Sequence, residues 1–445
     1  MAPLRAQSDE GREIASDLWG KNGELWDPDG RLPDFSFAGY REGLVALPHQ
    51  SAAKNLKSDF GAKGDGVTDD TEAFLNAIRE TRGVLFIPAG KYVITKILRI
   101  ARSDLVLRGS GAGKTILYFP KSLLEIEPLY VTPHSRVVTG QTSGYHGHGG
   151  HIWVDGAYGQ VQLAAITQPS SRGDKSVVVD EVNHLRVGQY VELSERDDAS
   201  QSLVKYLYGG DAGEADKLKT VAWEVAKIMA IDGKRVALDR TLRCAIDLKW
   251  RPVVSSFNPS VSEVGIEDLS IEYPLTNYRG HFYEQNNAIY FGSITDSWIN
   301  HVTVLNADEA FLIHGRFCTL SGITVNNQRI AAPKGFQGHN GVLLDDNGGD
   351  NLVRDFEMNA VYMHTISVRN TAGNVFSHGR GDDLDFDCAA HCPYANLFTQ
   401  IDLGKGNVPW NGSGGPGQGK SGASWNTFWN ITSAKELNFP PAQFG

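Results

Sequence analysis

The sequence predicts an all-β solenoid: a parallel β-helix with a short capping helix at its N-terminal end and a small inserted β subdomain. Three observations lead there. A turn-and-helix motif opens the regular part of the chain near residue 55. A six-residue alternating pattern recurs further on, as stacked structural repeats require. Forty-nine glycines and 10% aromatic residues suit a turn-rich β protein.

The opening motif runs from Asp59 to Phe74, as Asp-Phe-Gly-Ala-Lys-Gly-Asp-Gly-Val-Thr-Asp-Asp-Thr-Glu-Ala-Phe. It reads as a strand end, a glycine-rich turn and a capped helix over Thr71 to Thr81. Gly61, Gly64 and Gly66 allow the backbone angles of a tight turn. Asp69, Asp70 and Thr71 offer oxygens to the free amides of a helix start. A strand follows over Val84–Ile87 and stops at Pro88-Ala89-Gly90. From Asn55 to Phe119 this block closely resembles the cap and first turn of the pectate-lyase-like right-handed β-helix superfamily, in particular its rhamnogalacturonase/epimerase-like members. The resemblance implies a right-handed coil and a carbohydrate substrate outside the cell. It does not imply one reaction, because function sits in sites grafted onto folds.

The repeats become visible after residue 260. His301-Val-Thr-Val-Leu-Asn306 returns as Gly322-Ile-Thr-Val-Asn-Asn327, shifted by 21, and again as Thr365-Ile-Ser-Val-Arg-Asn370. Each copy alternates apolar and polar, as a strand with one buried face does. The terminal asparagines suit positive-φ turns and a stacked hydrogen-bonded ladder. Residues 1–54 read as an irregular arm, 55–435 as the solenoid, 176–243 as the inserted subdomain and 436–445 as a tail. Within the insertion, Ala212 to Met229 reads as helical.

The formal net charge of −10 speaks against nucleic acid as a partner, which wants a basic face. No run of about 18 apolar residues exists to span a membrane. Met1 to Arg5 lacks the apolar core of a secretory signal. A secreted or periplasmic location is expected from the resemblance, with the signal missing from this sequence. Four cysteines in 445 residues are not a disulfide framework.

Two motifs invite cofactor readings. Gly109 to Thr115 looks like a phosphate loop, but Arg108 stands where the first glycine is required and a strand pattern follows. It reads as a solenoid turn. His146, His148 and His151, in a glycine-rich segment, can ligate a transition metal or simply form a loop.

The strongest chemical signal is Ser377-His-Gly-Arg-Gly-Asp-Asp-Leu-Asp-Phe-Asp-Cys388. On a strand, Leu384, Phe386 and Cys388 point inward, and Asp383, Asp385 and Asp387 form an outward row spaced roughly 7 Å apart. That spacing suits the carboxyl pair of an inverting glycosidase, about 6.5–9.5 Å apart. The same row can instead hold calcium. Expected catalytic residues are Asp383, Asp385, His378, Arg380, Asp308 and Glu309. Expected substrate contacts are His339, Lys334, Asp345, His364, His391, Tyr394 and Trp410. No cofactor is required beyond a possible calcium ion.

The polygalacturonase pattern does not carry over. Asn306-Ala-Asp308, Gly381-Asp-Asp383 and Ser377-His-Gly379 stand in the wrong order and spacing for that family. The favoured function is an inverting glycoside hydrolase acting on a polysaccharide. The alternatives are a lyase or C5 epimerase acting on uronic-acid glycans, and a tailspike-like glycan binder without chemistry.

Overall fold

The computed structural model describes residues 16–128, 130, 136–138, 141–215, 218, 221–278, 280, 285–330, 335–346 and 348–444. The chain is an all-β parallel β-helix, with two parallel sheets of fourteen and eight strands wound around one core. The eight-stranded sheet is built from β1 (Leu98–Ile100), β2 (Ile152–Asp155), β3 (Asn287–Thr295), β4 (Glu309–Arg316), β5 (Gly338–Leu344), β6 (Tyr362–Val368), β7 (Phe386–Cys388) and β8 (Trp410–Asn411).

Register explains the core. In the larger sheet Leu85, Leu107, Ile266, Ile299, Leu320, Val353, Phe376, Phe398 and Phe428 pair in succession, one coil to the next. In the smaller sheet the matching inward line is Ile152, Ile289, Phe311, Val342, Ile366, Phe386 and Trp410. Like side chains therefore stack on like. Phe398 lies 5.2 Å from Phe376 and 4.8 Å from Phe428, nearly parallel to both.

The cap helix spans Thr71–Glu80, as the motif predicts. The segment before it is not a strand end: Leu56–Phe60 is a short helix whose first amides bond to the Asn55 side chain. Asp69 accepts from the Thr71 amide, whereas Asp70 turns away and holds the Lys63 and Gly64 amides of the glycine turn. Gly109 sits in a solenoid turn, where a β-carbon would lie 2.1 Å from the Asp268 carbonyl oxygen. The strand Thr115–Tyr118 follows it, as the sequence reading required.

An asparagine ladder does form, but from other residues than the repeat suggested. Asn351, Asn374, Asn396 and Asn426 pass hydrogen bonds from coil to coil at 2.8–3.2 Å, and Asn351 in turn caps the Cys318 amide. Asn306 and Asn370 instead occupy positive-φ turns.

The insertion is a six-stranded antiparallel sheet whose strands run from Gln162 to Ser256. It begins earlier and ends later than composition suggested, because its first and last strands pair with each other. The second half of the stretch read as helical belongs instead to the strand Val221–Asp232, and a helix lies earlier, at Ser202–Leu207. Arg316 of β4 anchors the insertion. It is 2% exposed, paired with Glu192 and sandwiched 3.8 Å from Trp223 and 4.4 Å from Tyr158. The arm lies against the larger sheet, with Tyr40 edge-on to Trp298 at 5.3 Å.

Glu195 sits between insertion and solenoid, beside Trp223, Cys244 and Tyr394. Burial pushes its carboxyl up to about 8, partly offset by the Asp247 amide. The folded protein therefore keeps this proton where the unfolded chain, with an ordinary value of 4.5, releases it. Its contribution to stability is full below the unfolded value and is lost as pH rises to the folded one. Melting temperature should fall between pH 5 and 8, and Glu195→Gln should flatten that fall. Parallel melting curves across this range check it; identical slopes would refute the burial argument.

Candidate active site

A cleft of about 430 Å³ lies on the outer face of the eight-stranded sheet. Its floor follows from register. Leu312, Leu343, Ser367, Asp387 and Asn411 occupy one outward line across β4 to β8. Glu309, Asn340 and His364 form a second line beside it. The glycine-rich loop around His146 and Gly147 closes one side, and Ser413 to Gln418 with His391 closes the other.

Imidazoles dominate this cleft. His146 and His339 have ring centres 4.8 Å apart, and His339 and His364 are 5.1 Å apart. His364 Nδ1 lies 3.0 Å from Asp387 Oδ2. Burial opposes the charged imidazolium, but the hydrogen bond and charge of Asp387 outweigh it, so the His364 pKa is raised. With Nδ1 held by the carboxylate, Nε2 is the nitrogen left to act.

The carboxylates are set back and occupied. Asp387 is 1% exposed and accepts from the Ser367 hydroxyl and from the amide and hydroxyl of Ser413. Asp385 accepts from the Thr365 amide at 2.8 Å and from Asn411 at 2.9 Å. Burial raises the Asp385 carboxyl to about 6, with the Thr365 bonds and the His364 charge opposing. Glu309 accepts from the Gly147 amide and from Asn340. Arg369 borders the cleft and pairs with the buried Asp345.

The structure thus brings together His339, His364 and His391 at the cleft, with Asp385, Glu309 and Asp345 behind it. It separates the remaining expected residues. Leu384, Phe386 and Cys388 do point into the core, but regular strand begins only at Phe386. Asp383 therefore lies before the strand, in an isolated bridge to Gly404, bound to the Asn407 amide and side chain. His378 and Arg380 sit on Val375–Gly381 of the other sheet, in a shallow groove where Arg380 pairs with Glu357. Asp308 is buried against Arg329. The Tyr394 hydroxyl bonds the Trp223 backbone and docks the insertion. Trp410 packs flat on Phe386, and its indole N–H bonds the Asn438 carbonyl. Lys334 lies outside the described residues.

The calcium row does not converge. Among the described residues, the sets close enough to hold a cation are His146–Glu309–His339 and His148–His314–Asp346, neither containing Asp383, Asp385 or Asp387. The first set borders the cleft and its donor types suit a divalent transition metal. His151 is a core residue, its nitrogens facing the Asn287 and Lys121 carbonyls, and burial lowers its pKa to about 4. Arg369, Asn340 and Ser413 were missed from sequence. Arg369 alone carried a signal, standing two places after Ser367 in an alternating repeat.

Comparison with known proteins agrees with the β-helix fold. The family described as rhamnogalacturonase A/epimerase, pectate lyase-like, matches residues 54–154. The tailspike protein gp49 of Pseudomonas phage LKA1 superposes with a TM-score of 0.54 at 14% identity, covering 86% of this chain and 62% of that one. Residues 54–154 thus match a pectate-lyase-like family, and the chain as a whole has the parallel β-helix fold. Two curated proteins share shorter stretches with this β-helix. The preneck appendage protein of Bacillus phage PZA is 36% identical over 81 residues, 18% of this chain and 9% of that protein. Alginate lyase 7 of Azotobacter vinelandii is 37% identical over 73 residues, 14% of this chain and 8% of that protein. The β-helix thus matches less than a tenth of the length of these relatives.

Asp345 is 1% exposed and one of its oxygens has no hydrogen-bond partner, so it depends on Arg369. Arg369→Ala should destabilise the protein by about 2–3 kcal/mol, less than a fully enclosed pair because the guanidinium is partly exposed. Adding Asp345→Asn should restore part of the loss. Denaturation of the single and double variants checks this; strict additivity would refute it.

Proposed function

We propose that this protein is a polysaccharide lyase that cleaves a uronic-acid-containing glycan by β-elimination, with His364 as the base. The observation that carries the reading is the His364–Asp387 pair opening onto the cleft. Asp387 is the one carboxylate among the described cleft-lining residues, and its oxygens are engaged by donors. Inverting hydrolysis needs two carboxyl groups facing the scissile bond. Proton removal next to a carboxylate needs one positioned base and nearby positive charge.

The steps follow from these groups. Arg369 at the cleft edge offers charge to the uronate carboxylate. His364 Nε2 takes the proton from C5. The electron pair forms the C4–C5 double bond as the C4–O bond breaks. The departing oxygen takes a proton from a second imidazole, His339 or His391. Asp387 stabilises the imidazolium that forms on His364. The short similarity to a protein named an alginate lyase, and the tailspike likeness in fold, fit a glycan substrate met outside the cell.

Hydrolysis is the second reading, favoured by Asp385, whose carboxyl near 6 suits a general acid. The product separates the two. Digestion of a panel of uronate polysaccharides and bacterial capsular glycans should yield ultraviolet-absorbing unsaturated ends. Reducing ends without that absorbance would establish hydrolysis, and binding without cleavage would establish a tailspike-like role.

His364→Ala should lower turnover by on the order of 10³ with little change in melting temperature. Asp383→Asn and His378→Ala should keep full activity, because both lie away from the cleft. The reverse pattern would move the active site to the other sheet. The base must be neutral to act, and Asp387 holds its pKa above the ordinary 6.5. The rate constant kcat/KM should therefore rise with pH through a value above 6.5. In Asp387→Asn that limb should shift to lower pH and the plateau should drop. A limb that stays in place would remove His364 from the role.

A further inference from the structure

The loop 144–150 has two faces. His146 turns toward the cleft, and His148 turns the other way, toward groups that the elimination chemistry does not use. There it meets His314, near the end of β4, and Asp346, just beyond β5. One ligand atom from each of the three lies within 4.8 Å of the others. Tyr290 of β3 stands among them. Its hydroxyl is 3.1 Å from His148 Nδ1 and 3.5 Å from His314 Nδ1. His314 Nδ1 is in turn 3.2 Å from Asp346 Oδ2.

The His314–Asp346 spacing of 3.2 Å is that of two donors in a coordination shell, and His148 lies within 4.8 Å of both. Two donors bound at about 2.0–2.1 Å to a tetrahedral ion stand roughly 3.3 Å apart. Two imidazoles and one carboxylate favour zinc and its transition-metal neighbours, whereas calcium and magnesium prefer oxygen donors. His314 is 3% exposed, and its Nε2 has no hydrogen-bond partner. Its Nδ1 is the nitrogen that faces Asp346 and Tyr290. The three residues come from separate segments, so an ion among them would tie the loop to two successive strands of the sheet.

We propose that His148, His314 and Asp346 bind a divalent transition metal of the zinc class, and that this ion fastens the 144–150 loop to the solenoid. The site is distinct from the cleft and does not depend on the lyase reading. Its consequence for the cleft is positional. The fastened loop also carries His146, and it carries the Gly147 amide that bonds Glu309.

The test uses the full chain, stripped with a chelator and then titrated with zinc by calorimetry and with cobalt by visible absorption. One saturable high-affinity site is expected, with the absorption of a low-coordinate nitrogen–oxygen cobalt centre. His148→Ala and Asp346→Asn, both at partly exposed positions, should each weaken it by about 100-fold or more. His314→Ala should do the same if it folds. His339→Ala, in the other cluster, should leave it intact. Hydrogen exchange of residues 144–150 should slow on adding zinc to the wild type and not to His148→Ala. The proposal is overturned if the wild type binds neither ion saturably, or if His148→Ala and Asp346→Asn both bind like the wild type. It is also overturned if binding is lost in His339→Ala alone, or if zinc leaves exchange of the loop unchanged.

Discussion

The constraint on which everything else rests is in-register stacking of parallel coils. A single coil cannot bury its apolar face; it needs the coil above and the coil below. The two inward lines, one from Leu85 to Phe428 and one from Ile152 to Trp410, satisfy that need along the whole length. Register then fixes the outer face with equal force, because a one-residue slip would turn every core side chain outward. That is how Leu343, Ser367 and Asp387, each 20 or more residues from the next, come to stand side by side. The cleft is a by-product of the core's own alignment.

A rigid outer face is flat, and a flat face does not enclose a substrate. The cleft walls are loops, and among the described lining residues none belongs to the inserted sheet. The six-stranded subdomain docks through groups that are expensive to bury alone: Arg316 with Glu192, Arg243 with Asp350, Arg240 with Glu42. Each pair is at least nearly nine-tenths enclosed on both sides, so removing one partner strands a charge. The aromatic faces of Trp223 and Tyr158 add cation–π attraction around Arg316. These contacts favour a single docking geometry over a loosely tethered one.

Much of the fold was legible in the sequence, and for local reasons. Turn glycines, a helix start and alternating repeats are short-range signals, and all three survive in the structure. The inward trio Leu384, Phe386 and Cys388 was legible by the same alternation. The site was legible only in pieces. His339, His364 and His391 could be listed, but nothing local says which of two sheets a strand joins, so His378 and Arg380 were grouped with them wrongly. Turn lengths differ from coil to coil, and the eye has no register until the strands are paired. Trp410 and Tyr394 show the other limit: an aromatic with a polar atom reads alike on a surface and in a core where that atom finds a backbone partner. The ladder asparagines were hidden because they sit at strand starts outside the repeated motif.

That ladder has a further consequence for how such a cleft can change. Successive rungs are 23, 22 and 30 residues apart, yet the hydrogen bonds between them keep the same short lengths. The eight additional residues of the last interval do not disturb the stack. Within that interval lies the Ser413–Gln418 segment, which leaves the sheet and becomes one wall of the cleft. Coil length and coil position are thus uncoupled. Insertions can accumulate in the wall, where they reshape what fits, while each amide rung keeps its neighbours in place. A scaffold of this kind separates the part of the chain that must be conserved in geometry from the part free to vary, and the boundary between them is a column of asparagines.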